Sequence, residues 1–347
     1  MHAKNHFTIL PGVLALLVSY QTSLSQEIHL PVAVTNHSTV ILRKDGADFL
    51  YTFYGIDSSK TWSGVHKKIM RVNLQTGKSA IIGEMPDSMG RLASSASVIN
   101  NKAYIVGGYA VYADGKERSS RQLFIFDPVS ETCTKGADIL IAIDDHGQAV
   151  ADNKLLYVIS GWNDSLNVHS VQVYNPMTNT WQLATQLPNE PSAAVFGGAG
   201  TIVGDTIYFL GGAIFSKNYP PSRQFYKGVI DKNDPLKILW KNAGTYPGEF
   251  RYRSISFENN GKIFFWGGSN QTYNYNGISY QQKKPVEPNK TVLIYDIKKG
   301  SFRTKPVGDA LMDLRNITKS SNNKWYLAGG MSKKQKPSNK VIELKVD

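Results

Sequence analysis

The stretch DDHGQAVADNKLLYVISG, Asp144 to Gly161, sets two short apolar runs on either side of the tight-turn signal ADNK and stops at a glycine. Two runs joined this way read as a β-hairpin. The same arrangement recurs along the chain. Apolar runs ending in a glycine, mostly a doublet, close at Gly55, Gly108, Gly161, Gly212, Gly268 and Gly330. Each is preceded by a turn such as INNK, ADNK, VGD or ENNGK, and by a further apolar run before that. A polar loop of variable length follows each glycine. A third strand then ends in an acid or amide (LFIFD, VQVYN, VLIYD), and an aromatic-bearing fourth follows, as at Trp181, Trp240 and Phe302. Four strands repeated at a spacing near fifty residues describe the blade of a β-propeller.

The glycine doublet, the aromatic-plus-acid strand and the later Trp make the chain similar to the kelch-repeat family. That resemblance implies an all-β, kelch-type propeller, with six glycine signals giving six blades rather than seven. The last copy ends in KVIELKVD without room for a fourth strand, and EIHLPVAV stands ahead of the first copy. The N-terminal segment is therefore expected to close the ring by completing the last blade.

Bulk properties narrow the setting. The 347 residues are 41% hydrophobic and 19% charged, which suits a folded rather than a disordered chain. The first 25 residues read as an export signal, with Lys4 before an apolar run and a small-residue site SLS ahead of Gln26. Residues 26 to 347 are then one propeller domain, periplasmic or secreted, without membrane insertion. No cysteine follows the cleavage site to carry a lipid, and the single Cys133 has no partner for an internal disulfide. The net charge of +12 favours anionic partners. No nucleic-acid module, phosphate loop, nucleophile elbow or metal-ligand spacing is present, so neither nucleic acid nor a cofactor is expected. Oligomeric state is not encoded in any pattern of the sequence.

Aligned on the glycines, the beginnings of the first strands hold His37, Arg91, His146, Arg251 or Arg253, and Asp313 or Arg315. The beginnings of the third strands hold His66 or Lys67, Arg121, His169, Phe225 or Tyr226, and Lys290. Both sets are expected at one opening of the channel, giving a cationic ring with imidazole and phenol groups. Those groups suit β-elimination on a uronic acid. A base removes the proton beside the carboxylate, cations hold the enolate-like charge, and an acid protonates the departing oxygen.

The arrangement looks like that of the β-propeller ulvan lyases, and this resemblance implies an anionic, sulfated poly- or oligosaccharide substrate. It implies His146 and Tyr226 as the base and acid pair and His169 as support for the charge. Arg223 and Arg251 become carboxylate or sulfate contacts, with Arg253, Arg91, Arg121 and Tyr219 completing the binding set. Sugar and water are both open as leaving groups. Two rivals stand beside this reading. The kelch family also includes a sialic acid mutarotase, for which Glu249 beside Arg251 is the candidate pair, and a non-enzymatic module binding acidic glycans would use the same ring.

Overall fold

The computed structural model describes residues 27–346; the expected export signal lies outside them. Six antiparallel sheets stand around a central channel. The inner strands are Ser38–Lys44, Leu92–Ile99, Gly147–Ala151, Val195–Val203, Ile255–Asn259 and Thr318–Lys319. In five sheets the chain runs outward strand by strand, as in Gly147–Ala151, Leu155–Ile159, Val171–Asn175 and Thr180–Ala184. In the sixth, Ile28–Val34 pairs antiparallel with Lys336–Leu344 as the outermost strand. The ring is thus closed by the N-terminal segment, as the missing fourth strand of the last repeat predicts. The described helical segments are two short 3-10 turns, Trp62–Gly64 and Lys333–Gln335, and none is long and apolar enough to cross a membrane.

The recurring glycine has a physical cause. In every blade its N–H donates to a carbonyl of the next sector: Gly55 to Arg91, Gly108 to Ile143, Gly161 to Val195, Gly212 to Arg251, Gly268 to Leu311 and Gly330 to Val34, at 2.8–3.1 Å. The last bond reaches the N-terminal segment and completes the circle. At Gly161 φ is +117°, and a Cβ would lie 2.6 Å from the Asp144 carbonyl oxygen. Glycine is therefore required there by both backbone shape and space. Between blades the sheets bury aromatic and aliphatic side chains such as Tyr51, Phe53 and Phe126, or Tyr157, Phe209 and Tyr226.

A second ring lies just before the inner strands. Asn36, Ala93, Asp145, Gly197, Arg253 and Asp313 all have left-handed backbone, with φ between +47° and +67°. Around the channel Ala93 N–H donates to Asn36 O, Asp145 to Ala93 O, Gly197 to Asp145 O and Arg253 to Gly197 O, and Leu314 donates to Arg253 O. Because a left-handed residue turns the chain sharply, neighbours along the sequence are sent to different depths of the channel.

Candidate functional site

The tripeptide Asp144-Asp145-His146 spans those depths. Asp145 lies in the middle. Its carboxylate meets Arg253 at 2.6 Å and Arg315 at 3.0 Å, and both guanidiniums also reach Asp313, at 3.2 and 3.3 Å. Thr35 donates to the other Asp313 oxygen at 2.9 Å, and Arg315 also bonds Asn36. All four charged side chains are at most 4% exposed. Burial pushes the Asp145 carboxyl up, but Arg253 and Arg315 outweigh it and hold it below the ordinary carboxylate range. Two cations and two anions cancel. The result is a neutral plug across the channel, in place of the cationic ring expected from the sequence.

Above the plug, on the side of the loops that follow the glycines, is a cavity of about 180 Å³. Its floor is Asp145 and Arg253, and Asp144 and Glu117 supply carboxyl groups at its side. Trp162, Phe196, Tyr219 and Tyr280 form an aromatic wall, with Tyr219 edge-on to Trp162 and Phe196 at 5.9 and 5.5 Å and packed on Tyr280 at 4.9 Å. Tyr109 and Asn274 complete it.

The elements that build the cavity are the post-glycine loops. Glu117 begins the short strand Glu117–Ser119, which folds back on Lys102–Val111 over the mouth. Trp162 is held by reciprocal backbone bonds with Asp144 at 2.9 Å. Tyr280 comes from the long excursion between Lys262–Trp266 and Thr291–Asp296.

The two carboxyl groups are both raised, for different reasons. Burial, and then the adjacent Asp145 charge, raise Asp144 well above the carboxylate range; only the Ser119 hydroxyl, donating at 2.5 Å, and Arg253 oppose this. Of the pair, Asp144 is the carboxyl that its surroundings push furthest toward holding a proton. Glu117 sits on an exposed residue, yet crowding around its carboxyl raises it to about 6, with Arg253 pulling down and Asp145 and Asp164 adding to the rise. At neutral pH it is mainly ionised. A paired acid and base with separated pKa values is the arrangement that general acid–base chemistry needs.

Below the plug the channel widens into a cavity of about 510 Å³, lined by the inner strands and including His146 and Arg315. His146 is 4% exposed, and burial lowers its pKa to about 4. The imidazole expected at the mouth is therefore under it.

The remaining residues singled out in the sequence scatter. Arg253 and Tyr219 do line the mouth. Tyr226 lies between the third and fourth blades, its hydroxyl donating to Glu190 at 3.0 Å and lying 3.2 Å from Ser192, with burial pushing it up to about 12. His169 accepts the Leu187 N–H on its backbone carbonyl beside the third blade. His146, Tyr226 and His169 thus do not converge, because a third strand is displaced outward from the channel by two strand widths.

Arg91 and Arg251 form clasps within their blades. Arg91 bonds Gly107 O at 3.0 Å, Gln122 and Asp87, and Arg251 bonds Thr291 O at 2.6 Å and its hydroxyl at 2.9 Å. The ambiguity between Arg251 and Arg253 resolves through this: the former matches Arg91, and the latter occupies the same ring position as Asp145. Arg121 bonds Ile139 O at 2.8 Å, and Arg223 lies over Phe250 at 4.0 Å while donating to Gly248 O at 2.5 Å. Glu249 accepts from Thr291, so the Glu249–Arg251 pair braces one blade and takes no part in the mouth.

Glu117, Asp144, Trp162, Tyr280 and Asn274 were not singled out by sequence reasoning. For Glu117, Trp162, Asn274 and Tyr280 the signal was the post-glycine loops, which lie together at one end of any propeller and hold acids and aromatics in this chain; Asp144 stands instead just ahead of the inner strand Gly147–Ala151.

Comparisons with known proteins bear on the scaffold. The KLHDC2/KLHL20/DRC7 Kelch-repeats domain matches residues 17–212. Beta-scruin of Limulus polyphemus is 26% identical over 251 residues, 70% of this chain and 25% of its own. Kelch-like protein 25 of Xenopus tropicalis is 27% identical over 187 residues, 51% of this chain and 29% of its own. The chain therefore spans little more than a quarter of those relatives. The solved structure of YjhT superimposes with a TM-score of 0.72 at 13% identity, covering 92% of this chain and 97% of that one. That likeness is one of fold.

Proposed function

The chain belongs to the Kelch-repeat family, and from that premise we propose that its mouth cavity binds a single sugar ring and catalyses proton transfer at the anomeric centre, interconverting the anomers. The observation that carries this is the carboxyl pair, Asp144 and Glu117, facing one aromatic-walled cavity, with burial raising the acidic group of Asp144 well above the carboxylate range and that of Glu117 to about 6. At about 180 Å³ the cavity is smaller than the roughly 300–1,000 Å³ of drug-sized ligand sites, which suits one ring and leaves no groove for a polymer. Aromatic walls stack on the C–H faces of sugars, while carboxyl and amide groups bond hydroxyls. Arg253 adds a buried Nε–H without a protein acceptor.

The step balances. Glu117 takes the proton of the anomeric hydroxyl, the bond from the anomeric carbon to the ring oxygen breaks, and Asp144 protonates that oxygen, leaving an open-chain carbonyl. After rotation the ring hydroxyl attacks the other face of the carbonyl, giving its proton back to Asp144, while Glu117 returns its proton to the carbonyl oxygen. No cofactor and no water are consumed. The β-elimination reading is less well supported, since its base, acid and charge-stabilising residues occupy separate places. Neutrality of the plug also makes hydroxyl recognition, rather than anion attraction, the basis of affinity; an acidic sugar remains compatible through Arg253. Export, as expected from the leading segment, would give the protein extracytoplasmic sugars as substrates.

The test is exchange NMR of anomers of neutral and acidic reducing sugars. Acceleration by the wild type is expected, with a loss of roughly a hundredfold or more in Glu117→Gln and none in Tyr226→Phe. No acceleration with any sugar, or a rise in unsaturated-uronate absorbance that depends on Tyr226, would overturn the assignment.

A further inference from the structure

The aromatic wall of the mouth continues beyond the cavity. Tyr280, Tyr219 and Trp162 follow one another at 4.9 and 5.9 Å, and Phe215 extends the line from Trp162 at 5.6 Å, its ring at 60° to the indole. The first three are half-buried, whereas Phe215 is 52% exposed. Trp162 lines the cavity and Phe215 lies outside it, so the indole is the step between the two. Exposed aromatic surface is confined to this end of the molecule. Among the described residues the exposed aromatic rings are Trp62, Tyr112 and Phe215, and all three stand on post-glycine loops.

The loop that carries Phe215 is pinned. Ile214 N–H donates to Pro220 O at 2.9 Å, Tyr219 N–H donates to Ser216 O at 3.0 Å, and the Thr272 hydroxyl donates to Tyr219 O at 2.6 Å. Asn218 and Tyr219 both have left-handed backbone, with φ of +61° and +48°. Asn suits this conformation, but Tyr adopts it at a cost, and such strain persists only where the surroundings impose it. Here the bend lets Tyr219 pack edge-on to Trp162 and Phe196 while Phe215, four residues earlier, stays outside. A single exposed apolar side chain is ordinary. One that prolongs the wall of a cavity, on a loop held in shape, continues the chemistry of that cavity.

We propose that Phe215, with the outer part of Trp162, forms a second sugar subsite just outside the mouth, so that the ring in the cavity is the reducing end of a di- or oligosaccharide. This rests on the anomerase reading. That reaction needs a free anomeric centre at Asp144 and Glu117, so a further sugar is joined elsewhere on the ring, and a cavity of about 180 Å³ sends it out through the opening. There its apolar C–H face meets Phe215, and the exposed Ser216 and Asn218 of the same turn offer hydroxyl and amide groups to its hydroxyls.

The experiment measures anomer exchange by NMR for matched pairs of a monosaccharide and its 1,4-linked disaccharide: glucose and cellobiose, N-acetylglucosamine and chitobiose, galacturonate and digalacturonate. In the pair accelerated most, kcat/KM for the disaccharide should exceed that for the monosaccharide by roughly tenfold. Phe215→Ala should bring this ratio to about one by raising KM for the disaccharide rather than lowering kcat, and Phe215→Tyr should keep it. Saturation-transfer NMR gives a readout apart from turnover: protons of the non-reducing ring should take up saturation from the wild type and lose most of it with Phe215→Ala. Equal kcat/KM within every pair, or a preference undiminished in Phe215→Ala, would overturn the outer subsite and leave the anomerase reading standing. Acceleration of no sugar, with saturation of the non-reducing ring still dependent on Phe215, would overturn the anomerase reading and leave the stacking surface; absence of both signals would overturn the two together.

Discussion

Replacing Asp145 by Ala removes one carboxylate from the plug and leaves Arg253 and Arg315 sharing Asp313 alone. Both ion pairs that are lost, at 2.6 and 3.0 Å, join groups no more than 4% exposed, so water does not replace the missing partner. Breaking a buried pair from one side costs about 3–5 kcal/mol, chiefly because the remaining charge stays buried and uncompensated. For a chain of this size that is a fall of about 6–10 °C in Tm, at roughly 2 °C per kcal/mol. The control is Asp114→Ala, whose pair with Lys116 at 2.8 Å is solvent-exposed and screened and so contributes little.

The pH dependence adds a sign. Asp145 has a folded pKa depressed below its unfolded value of about 3.9, so its stabilisation is complete above that value and is lost as pH falls through the folded pKa. The gap between wild type and Asp145→Ala should therefore be full at pH 7 and narrow only in strong acid. Calorimetric unfolding of both variants at several pH values measures it. A loss at pH 7 no larger than that of the exposed control would refute the plug as a closed charge network.

Two further outcomes follow from buried groups elsewhere in the ring. His37 is 4% exposed and its pKa is lowered to about 3, first by burial and then by His66 and Arg315, so between pH 6.5 and about 3 the unfolded chain binds the proton and the folded one does not. Stability should fall as pH drops through that window, and His37→Gln should flatten the fall in an acid titration of Tm. Gly161→Ala must hold φ near +117° with its Cβ 2.6 Å from Asp144 O, so a loss of about 1–3 kcal/mol is expected from urea unfolding; tolerance would show that this glycine is not needed for the approach of adjacent blades.

The scaffold was legible because its cause is local and repeated. Each glycine signal marks an N–H bonded to the next sector, and a requirement that recurs six times leaves a periodic trace. The N-terminal closure was legible for a related reason: the last repeat lacked a strand, and a lone apolar segment preceded the first. The mouth was harder to read. Arg251 and Arg253 are two residues apart and equally cationic in the sequence, yet one clasps Thr291 within its blade and the other enters the channel. Which is which depends on the left-handed residue, and Arg has no sequence mark for that conformation. Glu117 and Tyr280 sit on loops of unequal length, where periodic alignment carries no information.

The left-handed ring also explains why one tripeptide serves three purposes. In an extended strand Asp144, Asp145 and His146 would alternate between two faces of a sheet. With φ of +47° at Asp145 the chain bends at the channel wall, placing Asp144 in the mouth, Asp145 in the plug and His146 in the lower cavity. Left-handed backbone costs a residue with a Cβ roughly 1–2 kcal/mol; Ala93 and Arg253 bear it in full, and Asn36, Asp145 and Asp313, whose short polar side chains suit this conformation, bear less. Gly197, where a Cβ would lie 2.6 Å from the Tyr252 ring, is the position that avoids it. A ring of glycines would relieve the strain at the other five, but would leave the channel without Asp145, Arg253 and Asp313. Retaining side chains at strained positions is therefore what separates the two cavities, and it adds the ionised Asp145, held in place by the plug, to the burial that already raises Asp144.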